Sequence, residues 1–218
     1  MMEYIIKWSK YLCALIVVLV FAAHNPVLAE EVKTTMLFNY DIVNPENGES
    51  FNKQNLYVGF VYEDFLAGIE LNQTPKYDYF QTKTYAGLTR GPWTGFLGLS
   101  FDSNDSDYAF GGFWYCGPLG RLKTFLDIRY YAGMKKEADD FFDSYLRLTY
   151  SLGKWGLGID GLYDVWDSEK YSYFLGPVVT YKINDNIIIG ARVTRDYDII
   201  EDETSRAIRL RLEMNFFF

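Results

Sequence analysis

The residues that most often do chemistry are scarce here, and most lie at one end. The only histidine, His24, and one of the two cysteines, Cys13, fall within the first 29 residues. That stretch reads as an export signal. Lys7 and Lys10 give it a positive start, and Tyr11 to Ala23 is an apolar run too short to span a bilayer. Pro26 breaks the run, and Val27-Leu28-Ala29 ends on a small residue, where cleavage is expected. Cys13 sits inside the apolar run, not at its end, which argues against lipid attachment. The expected mature chain, residues 30–218, then holds no imidazole. Serine–histidine hydrolysis and histidine-based metal sites need one for proton transfer or ligation. Cys116 has no disulfide partner and reads as a small apolar residue at a strand end. No carboxylate pair stands out for acid–base work. Asp102, Asn104, Asp105 and Asp107 follow the start of a calcium loop but lack its sixth-position glycine and twelfth-position acid. They read as a solvated acidic turn. No enzyme activity, cofactor or metal is expected.

The remaining chemistry is charge. The mature chain carries 28 acids against 19 bases, a net charge of −9, which argues against nucleic acid as a partner. A subset of these charges alternates with apolar residues along extended segments: Lys33, Glu70, Lys83, Asp127, Arg129, Arg147, Asp160, Arg192, Arg209, Arg211 and Glu213. In a strand, successive side chains point to opposite faces, so these groups share a face that the apolar residues avoid.

The elements that must position them are strands. Twelve segments show this pattern, at about 31–42, 54–62, 65–73, 79–89, 93–102, 107–116, 121–132, 141–151, 155–164, 171–182, 187–197 and 205–217. Each has the length a tilted strand needs to cross a bilayer. The last one sets Ile208, Leu210, Leu212, Met214, Phe216 and Phe218 against Arg209, Arg211, Glu213 and Asn215. Strand four has similar faces, and ten strands is the alternative count. Tight connections at Glu63-Asp64, Arg90 to Pro92, Gly117 to Gly120, Leu152 to Lys154 and Ile183 to Asn186 use the Gly, Pro, Asn and Asp chemistry of turns. They alternate with longer polar connections such as 44–50, 102–107, 134–140 and 199–205. A membrane barrel with both ends on the periplasmic side predicts short turns at one rim and long loops at the other.

Aromatic residues collect near the segment ends. Tyr62, Phe65, Trp93, Trp114, Tyr150, Trp155 and Tyr181 flank the short turns; Tyr40, Phe101, Tyr108, Tyr130, Phe142, Tyr163 and Tyr173 flank the long loops. Two interfacial girdles are expected from them. Pro177 falls inside the tenth segment, where a bulge or kink is expected because proline cannot donate to the ladder.

A secreted lipocalin-like barrel would share the alternation with its faces reversed. The C-terminus separates the two. Apolar residues at every second position from Ile208 to a terminal Phe218 resemble the C-terminal signature of bacterial outer-membrane β-barrel proteins. The resemblance implies a transmembrane antiparallel up-and-down barrel in the cell outer membrane. It implies that the barrel assembly machinery reads Phe218 and Phe216. It also implies contact with outer-membrane lipids and lipopolysaccharide. The chain is similar to small monomeric porins in size and strand count, so a monomer is expected. The enzymatic barrels of that membrane, phospholipases and proteases among them, typically depend on a histidine, which is absent here.

If the apolar faces meet lipid, the eleven charged residues named above belong inside. Two arrangements remain open. An arginine track including Arg129 and Arg147 guides an anionic solute, or the arginines pair with Glu70, Asp127, Asp160 and Glu213 and brace a mostly closed lumen. The interleaving of acids and bases leans toward the second. Twelve tilted strands give a backbone radius of roughly 12 Å, which excludes a wide general porin. The expected function is a narrow porin-like channel for passive passage of small solutes. The alternative is a structural or surface-interaction barrel with a closed lumen and functional outer loops.

Overall fold

The computed structural model describes residues 32–104, 106–135, 138–166, 170–200 and 203–218. The expected export signal, residues 1–29, lies outside them. The described residues form twelve strands: β1 Val32–Pro45, β2 Phe51–Tyr62, β3 Phe65–Thr74, β4 Tyr79–Arg90, β5 Trp93–Asp102, β6 Tyr108–Leu119, β7 Leu122–Gly133, β8 Phe141–Leu152, β9 Trp155–Val165, β10 Lys170–Lys182, β11 Ile187–Ile200 and β12 Glu203–Phe217. Each pairs antiparallel with its neighbours in sequence, and β12 closes on β1. The strand count read from the sequence is therefore twelve, and the fold is a closed up-and-down barrel.

Alternation explains both faces. The outward set includes Leu88, Leu97 and Leu175, which are 63%, 74% and 62% exposed. So much open leucine suits hydrocarbon as the surrounding medium, not water. The inward set holds the buried charges. Four of the short connections are two-residue turns, and Gly91, Gly120 and Gly153 take the left-handed backbone (φ 59°, 63° and 62°) that such turns require. The chain end closes the same rim: Thr34 N–H donates to the Phe218 carbonyl at 2.9 Å and Phe218 N–H to that of Thr34 at 2.8 Å.

Several details differ from the sequence reading. β1 and β2 run about three residues further, to Pro45 and from Phe51, into the stretch between the segments read as 31–42 and 54–62. β6 continues through Gly117-Pro118-Leu119, so the turn there is only Gly120-Arg121. β11 and β12 extend to Ile200 and from Glu203, into a stretch read as loop, because β-branched residues there continue the ladder. Pro177 causes no inserted residue. The register runs unbroken to β9, and on the β11 side only the pairings at Gly176 and Pro177 are lost before the same register resumes. Proline's missing donor is thus absorbed as a local gap.

Two of the expected girdle aromatics face inward. Trp114 packs against Tyr85 and Phe96 (centroids 5.4 and 4.7 Å), and Tyr108 against Tyr131 and Phe141. Phe113-Trp114-Tyr115 is an aromatic triplet that hides its own alternation. The outward members are Phe113 and Tyr115, the latter against Trp93 at 4.7 Å.

Candidate functional site

All eleven charged residues singled out in the sequence lie on the inward face, as the strand registers show. Ten gather in three groups around the wall. Lys33 stands apart, exposed near the short-turn rim.

The first group spans β3, β4 and β7. Arg129 donates to both carboxyl oxygens of Asp127 (Nε 2.9 Å to Oδ1, Nη2 2.6 Å to Oδ2) and to both of Glu70 (Nη2 2.9 Å, Nη1 3.2 Å). Asp127 is two residues away on the same strand face, whereas Glu70 lies four strands away in the closed order. Lys83 Nζ donates to the Tyr131 hydroxyl at 2.8 Å. The guanidinium also rests near the rings of Phe96 and Trp114, at 5.5 and 5.9 Å, where ring quadrupoles favour a cation. Behind it Leu66, Tyr85, Phe96, Phe110 and Tyr131 form a buried apolar cluster. Arg129, Glu70 and Asp127 are thereby buried and compensate one another.

The second group lies on β8, β9, β11 and β12. Arg147 binds Asp160 (Nε 2.7 Å, Nη2 2.8 Å) and Glu213 (Nη1 2.7 Å, Nη2 2.8 Å), a double bidentate clamp. Arg192 Nη1 donates to Asp160 at 2.8 Å, and the Tyr145 hydroxyl to the same carboxylate at 2.9 Å. Arg192 stacks 4.6 Å from the centre of the Phe174 ring.

The third group sits at the closing seam. Arg211 donates to Asp41 through Nε at 2.5 Å and Nη2 at 2.6 Å; Arg209 pairs with Asp196 and lies 3.9 Å from Asp41. Asp41 and Asp196 were missed as site residues. Asp41 was visible on the inward face of the first segment. Its importance depends on the β1–β12 register, which sets it opposite Arg211 and is a product of closure. Also missed was a row of amides, in which Asn39 donates to Asn55, Asn55 to Asn72, and Asn72 to Gln81 across β1 to β4.

Near the long-loop rim, Asp102 Oδ1 accepts the backbone N–H groups of Asn104 and Ser106 at 2.8 and 3.0 Å, which ties the connection after β5. Asp107 pairs with Lys135, and Asp105 lies outside the described residues. Among the described residues no three His, Cys, Asp or Glu side chains gather as a metal cluster.

No family profile and no curated protein matches the chain in sequence. Solved structures do match in shape. A KdgM porin in complex with disordered oligogalacturonate is similar at a TM-score of 0.59 and 14% identity, over 84% of this chain and 99% of that one. A NanC porin matches at 0.56 and 12%, over 82% and 98%. The CymD monoaromatic hydrocarbon channel matches at 0.53 and 8%, over 90% and 92%. At these identities the likeness is one of fold, and the fold is that of an outer-membrane porin-like barrel.

Proposed function

We propose that the protein is an outer-membrane channel that passes small solutes through a narrow charged lumen. The carrying observation is the contrast between faces: open leucine outside, and inside a wall of ion pairs in which Arg147, Arg211 and Arg209 side chains keep 20%, 18% and 17% of their surface open. Charge in a low-dielectric wall selects what passes. Of the inward charges, Lys33, Lys83, Glu70, Asp127 and Arg129 join Arg147, Asp160, Arg192, Arg209, Arg211 and Glu213 as lining residues in this reading. The chain acts as a monomer, contacts lipopolysaccharide with its outward face, and is assembled through Phe216 and Phe218. No catalytic role is assigned.

Planar-bilayer recordings on purified folded protein test the reading. We expect small, discrete ionic currents that change when Arg129 and Arg147 are replaced by glutamine. The likeness to the KdgM porin, solved with oligogalacturonate, makes an anionic sugar chain a suitable first probe of current block. Absence of current in folded protein, unchanged by either substitution, sinks the channel. A second reading, a closed barrel acting through its loops, is favoured by ion pairs that bridge strands four places apart. Silent bilayers together with a loop-dependent partner favour it.

A further inference from the structure

Two ion pairs dictate the shape of the lumen. Arg129 on β7 grips Glu70 on β3, and Arg147 on β8 grips Glu213 on β12. Each joins strands four places apart. In a round barrel of twelve strands, backbones four places apart stand roughly 20 Å from each other. An arginine and a glutamate reaching toward one another span roughly 15 Å of backbone separation, hydrogen bond included. The section must therefore be flattened at both braces. β7 and β8 form one long side; β12, β1, β2 and β3 form the other.

The two ends of the flattened section are closed differently. Beyond Arg129–Glu70, strands β4 to β6 contribute Tyr85, Phe96, Phe110 and Trp114, ring against ring at 4.7 to 6.3 Å. That end is a solid wedge, and the Arg129 side chain is only 8% exposed. Beyond Arg147–Glu213, strands β9 to β11 turn Gly158, Gly176 and Gly190 inward. Glu213 lies over Gly190, where an added Cβ would come within 2.5 Å of its Oε1. Phe174, Val178, Arg192 and Thr194 fill the rest of that end. The brace itself rests on backbone at Gly190, and its arginine retains more than twice the exposure of Arg129, while the Glu213 side chain is 3% exposed.

We propose that passage runs through a slot between the braces, that Arg147–Glu213 is its constriction, and that Glu213 sets its ionic selectivity. The proposal rests on the channel reading above. Glu213 and Arg211 are neighbours on one strand face, and Arg211 answers to Asp41. Removing the Glu213 carboxylate leaves Arg147 to Asp160, which Arg192 already shares. The constriction then carries excess positive charge and loses one of its jaws. Removing the Arg147 charge leaves Glu213 unmatched and reverses the sign.

Reversal potentials across a potassium chloride gradient test this. Glu213→Gln should raise the chloride-to-potassium permeability ratio by about twofold or more, and Arg147→Gln should lower it by a similar factor. Glu213→Asp, which keeps the charge but shortens the reach, should increase conductance with a ratio near that of the unaltered protein. Glu70→Gln should shift the ratio less, and Arg195→Gln, on the outward face, not at all. Heat-dependent electrophoretic mobility reports folding; if Arg147→Gln does not fold, the Gln and Asp variants of Glu213 still separate charge from reach. An unaltered protein that carries no current overturns the channel reading and this proposal together. A conducting protein in which the Glu213 variants leave the ratio unmoved, or Glu213→Gln and Arg147→Gln move it the same way, overturns the constriction alone.

Discussion

Arg129 is a cation held by two carboxylates and surrounded by rings, and this decides what losing one partner does. Breaking a buried pair leaves an uncompensated charge and typically costs about 3 to 5 kcal/mol. Glu70→Gln keeps Asp127 as a counter-ion, so we expect a loss near the lower bound, about 3 kcal/mol, in urea unfolding from lipid vesicles. Replacing Glu70, Asp127 and Arg129 together with methionine should cost less than the sum of the single losses, because no charge is left stranded. Asp140, in the connection between β7 and β8, behaves differently because it is open to solvent. The Tyr130 hydroxyl (2.6 Å) and the Gly133 N–H (2.8 Å) both donate to it and hold its carboxyl below the usual carboxylate range. A depressed folded-state pKa stabilises above the unfolded value, and the contribution fades as pH falls through the depressed one. Protection of the Gly133 amide from hydrogen exchange, corrected for intrinsic rates, should therefore drop on acidification below about pH 4, and Asp140→Asn should abolish that dependence.

Strand spacing sets a second class of constraint. At Gly176 an added Cβ would meet the Val193 carbonyl oxygen at 1.9 Å and Thr194 Cα at 2.7 Å, both backbone atoms of β11 that cannot swing aside. This is also where Pro177 opens the ladder, so β10 and β11 approach closely just where they share fewest hydrogen bonds. Gly176→Ala should force the strands apart and lower the urea midpoint clearly. Gly95→Ala, which meets nothing within 4 Å, should leave the midpoint within error. A midpoint equally insensitive to both changes would contradict the close approach. The strands themselves were legible because a two-residue period between lipid and lumen is a strong signal, and turn chemistry marked their ends. The failures have a local cause. Phe113-Trp114-Tyr115 is aromatic on both faces, so no period shows which way Trp114 points. At Pro177 the lost donor looked like grounds for a bulge, but the ladder tolerates a gap of two pairings.

At the scale of the whole barrel, closure and flattening carry the information that the sequence hides. Alternation could place Arg129, Arg147, Glu70 and Glu213 inside, yet Arg129 and Glu70 are 59 residues apart and Arg147 and Glu213 are 66 apart. Nothing local states that they meet, because the meeting depends on how twelve strands bend around one another. The seam offers a case where structure and assembly can be told apart. The Phe218 backbone is tied to Thr34 in both directions, which any residue could do. The residue is 67% exposed, and its ring stacks on that of Phe216 with centroids 6.2 Å apart and planes nearly parallel. A ring that open contributes little to packing once lipid surrounds it. If Phe218 is instead a mark read during insertion, Phe218→Ala should fold from urea into detergent or vesicles with the yield and urea midpoint of the unaltered protein. The same substitution in cells should lower the amount of heat-resistant barrel recovered from the outer membrane, by about tenfold if the terminal ring dominates recognition at roughly 1.4 kcal/mol. Equal losses in both settings would make Phe218 a structural residue of the seam, and no loss in cells would remove its role in assembly.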